Sequence, residues 1–197
     1  TEDVLKIIEQ KGIIREFITL HVGAGTFKPI ASRVTEHIMH AEHYSVSKQF
    51  LKTIAKTKST NIILVGTTSL RTLESLYWLG VKCAAGKLIN FRLRQWEPYK
   101  LMQHQIQPSE SMQALIDYLD GKGLDELRGI TEMMIVPGYK FKVAGGLITN
   151  FHQPRSTLLL IVSAMFGIMW REMYQYALKN NLRFLSYGDC CYFNLYL

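Results

Sequence analysis

The stretch from Gly145 to Trp170, GGLITNFHQPRSTLLLIVSAMFGIMW, constrains the fold most. Leu147 and Ile148 read as a short apolar strand, which breaks into a polar loop, Thr149-Asn150-Phe151-His152-Gln153-Pro154-Arg155. Ser156 or Thr157 then caps a helix by accepting from its first free backbone N–H groups. From Leu158 to Trp170 that helix is apolar almost all the way round, which predicts burial on most sides. Strand, polar loop and helix start in immediate succession belong to an α/β protein, and such a loop is where that class holds an anionic or polar ligand.

A chain of 197 residues, 48% hydrophobic and 20% charged, has the length and composition for one substantial core. The net charge of +7 favours an anionic partner, nucleic acid above all, because Lys and Arg gain by releasing counterions from phosphates. Cys83 stands alone and Cys190 and Cys191 are adjacent, which suits no ordinary structural disulfide and predicts a reducing, cytoplasmic setting. No basic-then-apolar leader opens the chain, which begins at Thr1 directly on a helix and reads as a fragment or a processed product. The apolar run from Leu158 to Trp170 falls short of the roughly 18 to 20 residues that span a bilayer, so a core helix and no membrane contact are expected.

In chain order, acidic Glu2 and Asp3 ahead of Val4, Leu5, Ile7 and Ile8 predict an amphipathic helix ending near Gly12. Residues 13–22 read as a strand, followed by Gly23-Ala24-Gly25-Thr26, where two close glycines permit a sharp turn that exposes N–H groups to a ligand. The full dinucleotide-binding glycine spacing is absent. His37, His40 and His43 would lie three apart on a helix; metal ligation, a plain polar segment and substrate contact by His40 and Glu42 are the alternatives, and the reading adopted is no metal. Tyr44 to Val46 suggests a short strand and Ser47 a helix cap. The run Asn61 to Gly66 is apolar enough for a buried parallel strand. Hydroxyls of Thr67, Thr68 and Ser69 are placed to cap the next helix, and Arg71 in its first turn, unfavourable beside the positive dipole end, predicts an anion or carboxylate nearby, with Glu74 one candidate. Residues 94–127 read as an elaboration of the same domain, with a helix capped by Ser109 to Ser111 and stopped by Gly121 and Gly123. Strands are expected at Lys87 to Arg94, Glu132 to Val136 and Arg183 to Tyr187, and one long helix is expected to end near Asn180. Lys140-Phe141-Lys142 fits a phosphate or base contact, and equally a surface strand.

Four apolar segments thus end in small polar sets: His21 to Thr26, Thr67 to Arg71, Thr149 to His152, and Tyr187 to Asp189. In a largely parallel sheet their carboxyl ends converge on one pocket, which favours an enzyme.

HVGAGTF, EHIMHAE, VGTTSLRTLES, TNFHQPRSTL and RFLSYGD, in this order, closely resemble the S-adenosylmethionine:tRNA ribosyltransferase-isomerase family of queuosine biosynthesis. The resemblance covers most of the chain outside the stretch around Arg94 to Leu127. It implies transfer and isomerisation of the ribosyl part of S-adenosylmethionine onto the aminomethyl-deazaguanine wobble base of tRNA, giving epoxyqueuosine, adenine and methionine. S-adenosylmethionine is then a co-substrate, no true cofactor is required, and tRNA is the partner of a protein expected to be monomeric. It also implies a mixed α/β fold, a largely parallel sheet flanked by helices, with a small β-barrel domain lying upstream; residues 1–197 would be a partial α/β catalytic domain. Two departures stand out: Gln153 and Arg155 flank Pro154 where the family carries other side chains, and Cys190-Cys191 replace a small residue and Met.

Departure of adenine calls for a general acid and loss of a proton beside the sulfonium calls for a base. His21, His40, Glu42, His152 and Asp189 are the candidates, with their roles open. Gly23, Gly25, Thr26, Thr68, Ser69, Arg71 and Asn150 suit positioning of nucleoside hydroxyls or the methionine carboxylate, against purely structural roles in capping and turns. Two rivals remain: a methyltransferase using the same co-substrate, which should show a glycine-rich loop after its first strand, and a non-enzymatic RNA-binding module, which would explain the charge but not the polar sets at strand ends.

Overall fold

A computed structural model describes residues 1–21, 23, 29–30 and 33–195. Helix α1 (Glu2–Gln10) is capped by the Thr1 hydroxyl and carries acidic residues in its first turn, as its sequence predicts. Strands β1 (Thr19–His21), β2 (Glu42–Ser47), β4 (Arg92–Leu93) and β5 (Glu126–Thr131) form one sheet in the order β1-β2-β5-β4. Strands β3 (Ile63–Val65), β6 (Gly146–Asn150) and β7 (Cys190–Asn194) form a second, in the order β3-β6-β7. Helix α2 (Lys48–Lys56) follows β2 directly, with Ser47 Oγ accepting from the Phe50 N–H.

Helix α3 (Thr67–Ala84) is the centre of the molecule. Every residue from Leu70 to Val81 is buried. Helix α5 (Pro108–Lys122) lies against it with Met112, Leu115, Ile116 and Leu119 in the shared core, preceded by the short α4 (Glu97–Leu101). The cap of α5 is Gln107, with Glu110 bonding back to the Gln107 N–H, and left-handed Gly123 ends the helix; the serines expected to cap it lie inside its first turn.

Several expectations are corrected. The expected mixed α/β arrangement is present, but as two sheets and with parallel pairing in the minority: β3–β6 and β4–β5 pair in parallel, whereas β1–β2, β2–β5 and β6–β7 are antiparallel. Hydrophobic runs specify strands but not partners, which depend on which edges meet. Strand pairing in the 126–136 region falls on Glu126–Thr131 rather than Glu132 to Val136, and Arg183 to Tyr187 holds a 3-10 turn ahead of β7 rather than a strand. The run around Ile63 is covered on one face only, leaving Ile63 and Val65 exposed. The long apolar helix is two helices, α6 (Thr157–Phe166) and α7 (Trp170–Lys179), broken at Gly167 with φ 56. Only Thr157, Leu158, Ile161 and Val162 of α6 are buried, and Ile168 and Met169 face solvent. Taken together, Thr157–Lys179 is long and apolar enough to cross a membrane by length and composition alone, although 33% of its most apolar window is buried.

The carboxylate of Glu74, wholly buried in α3, ties that helix to the chain entering β6. It accepts from the N–H groups of Lys142, Val143 and Ala144 at 2.9–3.1 Å and from the Tyr139 hydroxyl at 2.6 Å. The Tyr139 oxygen in turn accepts from Trp78 Nε1 at 2.8 Å. Burial pushes the Glu74 carboxyl above its ordinary range, and these donors pull it back towards the charged form. Glu74→Ala leaves three N–H donors, those of Val143 and Ala144 fully buried, without their acceptor. Each costs about 1–3 kcal/mol, so a loss of roughly 3 kcal/mol or more in urea-unfolding free energy is expected.

Candidate active site

Strands β3 and β6 pair in parallel with Val65 opposite Ile148, so their carboxyl ends lie side by side. The Gly66 N–H donates to the Ile148 carbonyl at 2.8 Å, and Gly66 adopts φ 89, turning the chain from β3 straight into α3. A side chain would be strained in that conformation. No side chain caps α3: the hydroxyls of Thr68 and Ser69, expected as caps, are not hydrogen-bonded to its start, and the leading N–H groups carry the positive end of an 18-residue helix. At the end of β6, Asn150 to Gln153 curve over to α6, whose cap is Ser156, accepting from the Leu159 N–H at 3.1 Å.

Between these two ends lies a pocket of about 450 Å³, within the range of small-molecule sites. Thr67, Thr68, Ser69, Asn150, His152 and Gln153 supply its polar lining, and Leu20, Val65, Leu158, Leu185 and Tyr187 its apolar lining. His152 is buried; its Nε2 shares a hydrogen bond with Thr149 Oγ1 at 3.1 Å, and its backbone N–H donates to the Tyr174 hydroxyl at 3.0 Å. Burial lowers the imidazole pKa to about 4, so at neutral pH His152 is uncharged. Behind it Phe151 stacks on Phe184 and meets Tyr174 edge-on, which fixes the loop from the core side.

A second cluster lies inside the first turn of α3. Arg71, 1% exposed, donates from one terminal nitrogen to Glu42 Oε2 at 2.9 Å and from Nε to the Met133 carbonyl at 3.0 Å. His40 Nε2 meets the other Glu42 oxygen at 2.9 Å. The carboxylate that Arg71 predicted is therefore Glu42 on β2, and Glu74, one turn along α3, serves the 142–144 backbone instead. Desolvation pulls the Arg71 guanidinium down, and Glu42 opposes this.

The remaining candidates lie elsewhere. His21 faces His43 across the β1–β2 pair, and both border a groove of about 830 Å³ on the open face of the first sheet, beside Arg92 and Arg128. That groove is larger than the pocket, but it is open sheet surface with its arginines paired to Glu132 and Glu126. Alternation along β1 puts Leu20 in the pocket while Thr19 and His21 line the groove. Asp189 accepts from the Arg183 backbone N–H at 2.6 Å and from Arg183 Nε at 3.3 Å, bonds that hold its pKa below the ordinary range. Gly23 is exposed, and Gly25 and Thr26 lie outside the described residues. His37, His40 and His43 are not on a helix, since residues 37–41 form no helix or strand and β2 starts at Glu42. Among the described residues no three His, Cys, Asp or Glu side chains are grouped to hold a metal ion.

Thr68, Ser69, Asn150 and His152 are thus brought together, with Glu42, Arg71 and His40 packed inside the same helix turn. Tyr187, Gln153 and Leu20 were missed as pocket residues. The only sequence signal for Tyr187 was its place in the polar set that ends at Asp189.

Adjacent parallel strands delivering loops and helix starts to one pocket define a ligand-binding α/β domain. The chain belongs to the family described as "Queuosine biosynthesis protein", whose model matches residues 1–193. An S-adenosylmethionine:tRNA ribosyltransferase-isomerase of Gluconobacter oxydans is 39% identical over 194 residues, covering 97% of this chain and 44% of that protein. Its counterpart from Thermosipho melanesiensis is 37% identical over 196 residues, covering 98% and 46%. The crystal structure of S-adenosylmethionine tRNA ribosyltransferase from Thermotoga maritima matches with a TM-score of 0.59 at 28% identity, covering 98% of this chain and 49% of that one. The chain therefore spans about half the length of the relatives it matches.

Because the fold depresses the His152 pKa from 6.5 to about 4, the unfolded chain takes up a proton that the folded one refuses as pH falls between those values. Stability is fully present above pH 6.5 and declines on acidification, by an amount on the order of 3 kcal/mol from this group. Urea unfolding followed from pH 7 to pH 4 should show a shallower decline for His152→Gln than for the wild type.

Proposed function

We propose that this chain forms part of the catalytic α/β domain of an enzyme that transfers and isomerises the ribosyl moiety of S-adenosylmethionine onto the aminomethyl-deazaguanine wobble base of tRNA. Epoxyqueuosine forms, and adenine and methionine leave. The observation that carries this reading is the pocket at the paired ends of β3 and β6, where Thr68, Ser69, Asn150 and His152 meet beside the uncapped start of α3. Membership of the family supports it.

The free N–H groups and hydroxyls at the start of α3 suit the methionine carboxylate, since a helix N-terminus stabilises an anion. His152, which lines the pocket and is backed by Thr149, is the imidazole placed to take the proton lost beside the sulfonium; its lowered pKa keeps it unprotonated at neutral pH, at the cost of some basicity. Arg71 acts on the pocket indirectly, by locking the first turn of α3 to β2. Residues 94–127 elaborate the same domain through α5, and a barrel domain of the kind the family carries upstream belongs to the whole protein. S-adenosylmethionine is a co-substrate rather than a cofactor, tRNA the partner, the protein a monomer and the cytoplasm its setting.

Incubating the chain with S-adenosylmethionine and tRNA bearing the precursor base tests the reading, alone and with upstream sequence of the kind its relatives carry. Adenine and methionine released in equal amounts support ribosyl transfer. S-adenosylhomocysteine would instead identify a methyltransferase, and retention of tRNA without either product an RNA-binding module. Replacing His152 by Ala should lower the adenine-release rate by about 10²-fold or more, the usual contribution of a positioned base.

A further inference from the structure

The turn Leu185–Tyr187 borders the pocket and is held in an unusual backbone conformation. Leu185 adopts φ 60, sparsely populated for a bulky side chain, and Gly188 closes the turn at φ 132. Such conformations persist only where the surroundings over-determine them. Three fastenings do so here. The Leu185 N–H donates to the Phe151 carbonyl at 2.8 Å, which ties the turn to the loop that carries His152. Asp189 accepts from both the backbone and the side chain of Arg183, which closes residues 183–189 into a loop. Asn150 Nδ2 donates to the Asp189 carbonyl at 3.1 Å, which anchors the base of that loop to the end of β6.

What these fastenings present is Tyr187. The residue is 74% exposed, although it lines the pocket, and it takes no part in the aromatic packing of Phe151, Tyr174 and Phe184 nearby. A large aromatic residue left uncovered on a rigidly held turn gains nothing for the core. Leu20, Val65 and Leu158 add apolar surface to the same pocket. An aromatic ring with aliphatic neighbours and amide and hydroxyl groups close by is suited to a flat heteroaromatic ring that stacks on one face and hydrogen-bonds at its edge.

We propose that Tyr187 is the stacking platform for a fused nitrogenous ring in this pocket, and that Asp189 is a positioning residue whose bonds to Arg183 hold that platform in place. The inference rests on the S-adenosylmethionine reading above and deepens it. Two rings in that reaction share the required chemistry, the adenine of S-adenosylmethionine and the deazaguanine of the tRNA, and binding measurements separate them.

Equilibrium binding of S-adenosylmethionine, adenine, methionine and precursor tRNA is compared for the wild-type chain, Tyr187→Ala and Tyr187→Phe. Because the ring is exposed, thermal unfolding of all three should coincide, so lost binding is not lost folding. Stacking predicts that Tyr187→Ala weakens adenine and S-adenosylmethionine by about 5- to 100-fold and leaves methionine unchanged, while Tyr187→Phe restores the affinity. Weakening confined to tRNA supports the platform and assigns it to the tRNA base. Equal weakening by Tyr187→Phe, or unchanged binding of all four probes by Tyr187→Ala, overturns the proposal. Failure of the wild-type chain to bind any of them overturns the pocket reading itself, and the platform with it. Asp189→Asn should reproduce a milder form of the Tyr187→Ala profile across the four probes, a ligand-selective pattern that general loosening of the fold would not give.

Discussion

The buried carboxylate of Glu74 is the constraint on which the rest of the structure depends. It sits in the middle of a helix that is enclosed from Leu70 to Val81, and it takes up three consecutive backbone N–H groups of the chain entering β6. Those donors have no strand partner of their own, and a buried N–H without an acceptor is costly. The carboxylate therefore does for the 142–144 backbone what a neighbouring strand would do elsewhere. By doing so it sets β6 against α3, and the parallel pairing of β3 with β6 brings the start of α3 next to the end of β6. The pocket is a consequence of that juxtaposition.

Arg71 repeats the device with the opposite charge. Three residues before Glu74 on the same helix, it reaches Glu42 on the first sheet and the Met133 carbonyl beyond β5. A buried ion pair is weak evidence for stability, because desolvation offsets much of its attraction, but it is demanding about geometry. Here it fixes the turn of α3 that faces inward, while Thr67 to Ser69 on the preceding residues face the pocket. The His152 side rests on aromatic packing instead, Phe151 against Phe184 and Tyr174. One flank of the site is held electrostatically and the other by shape.

Much of the site was legible in the sequence because its signals are local. Polar residues directly after apolar runs marked Thr68, Ser69, Asn150 and His152, and a cation at a helix start marked the need for a carboxylate near Arg71. Asp189 qualifies as a candidate acid or base because it closes one of the polar sets after an apolar segment, but in the folded chain its carboxylate is bonded to Arg183 six residues away. His21 occupies a strand end as expected, yet the alternation of β1 turns it to the opposite face from the pocket. Tyr187 was visible only as one letter of a polar set, since nothing local says that a ring will be left uncovered.

By itself the sequence determined the caps at Thr1, Ser47 and Ser156, the apolar strands β3 and β6 and the family, because caps and periodicity act over a few residues and motifs in order are read directly. Only the tertiary structure decided which strands pair and in which direction, which helix lies at the centre, and which carboxylate serves which cation. The apolar run after Thr157 predicted the buried helix, but enclosure depends on what packs around a helix. Helix α3, with charged residues in its middle, became the centre because Glu42 and the 142–144 backbone arrive from distant parts of the chain to satisfy them. Pairings across such separations are set by the whole fold and leave no mark on the neighbouring residues.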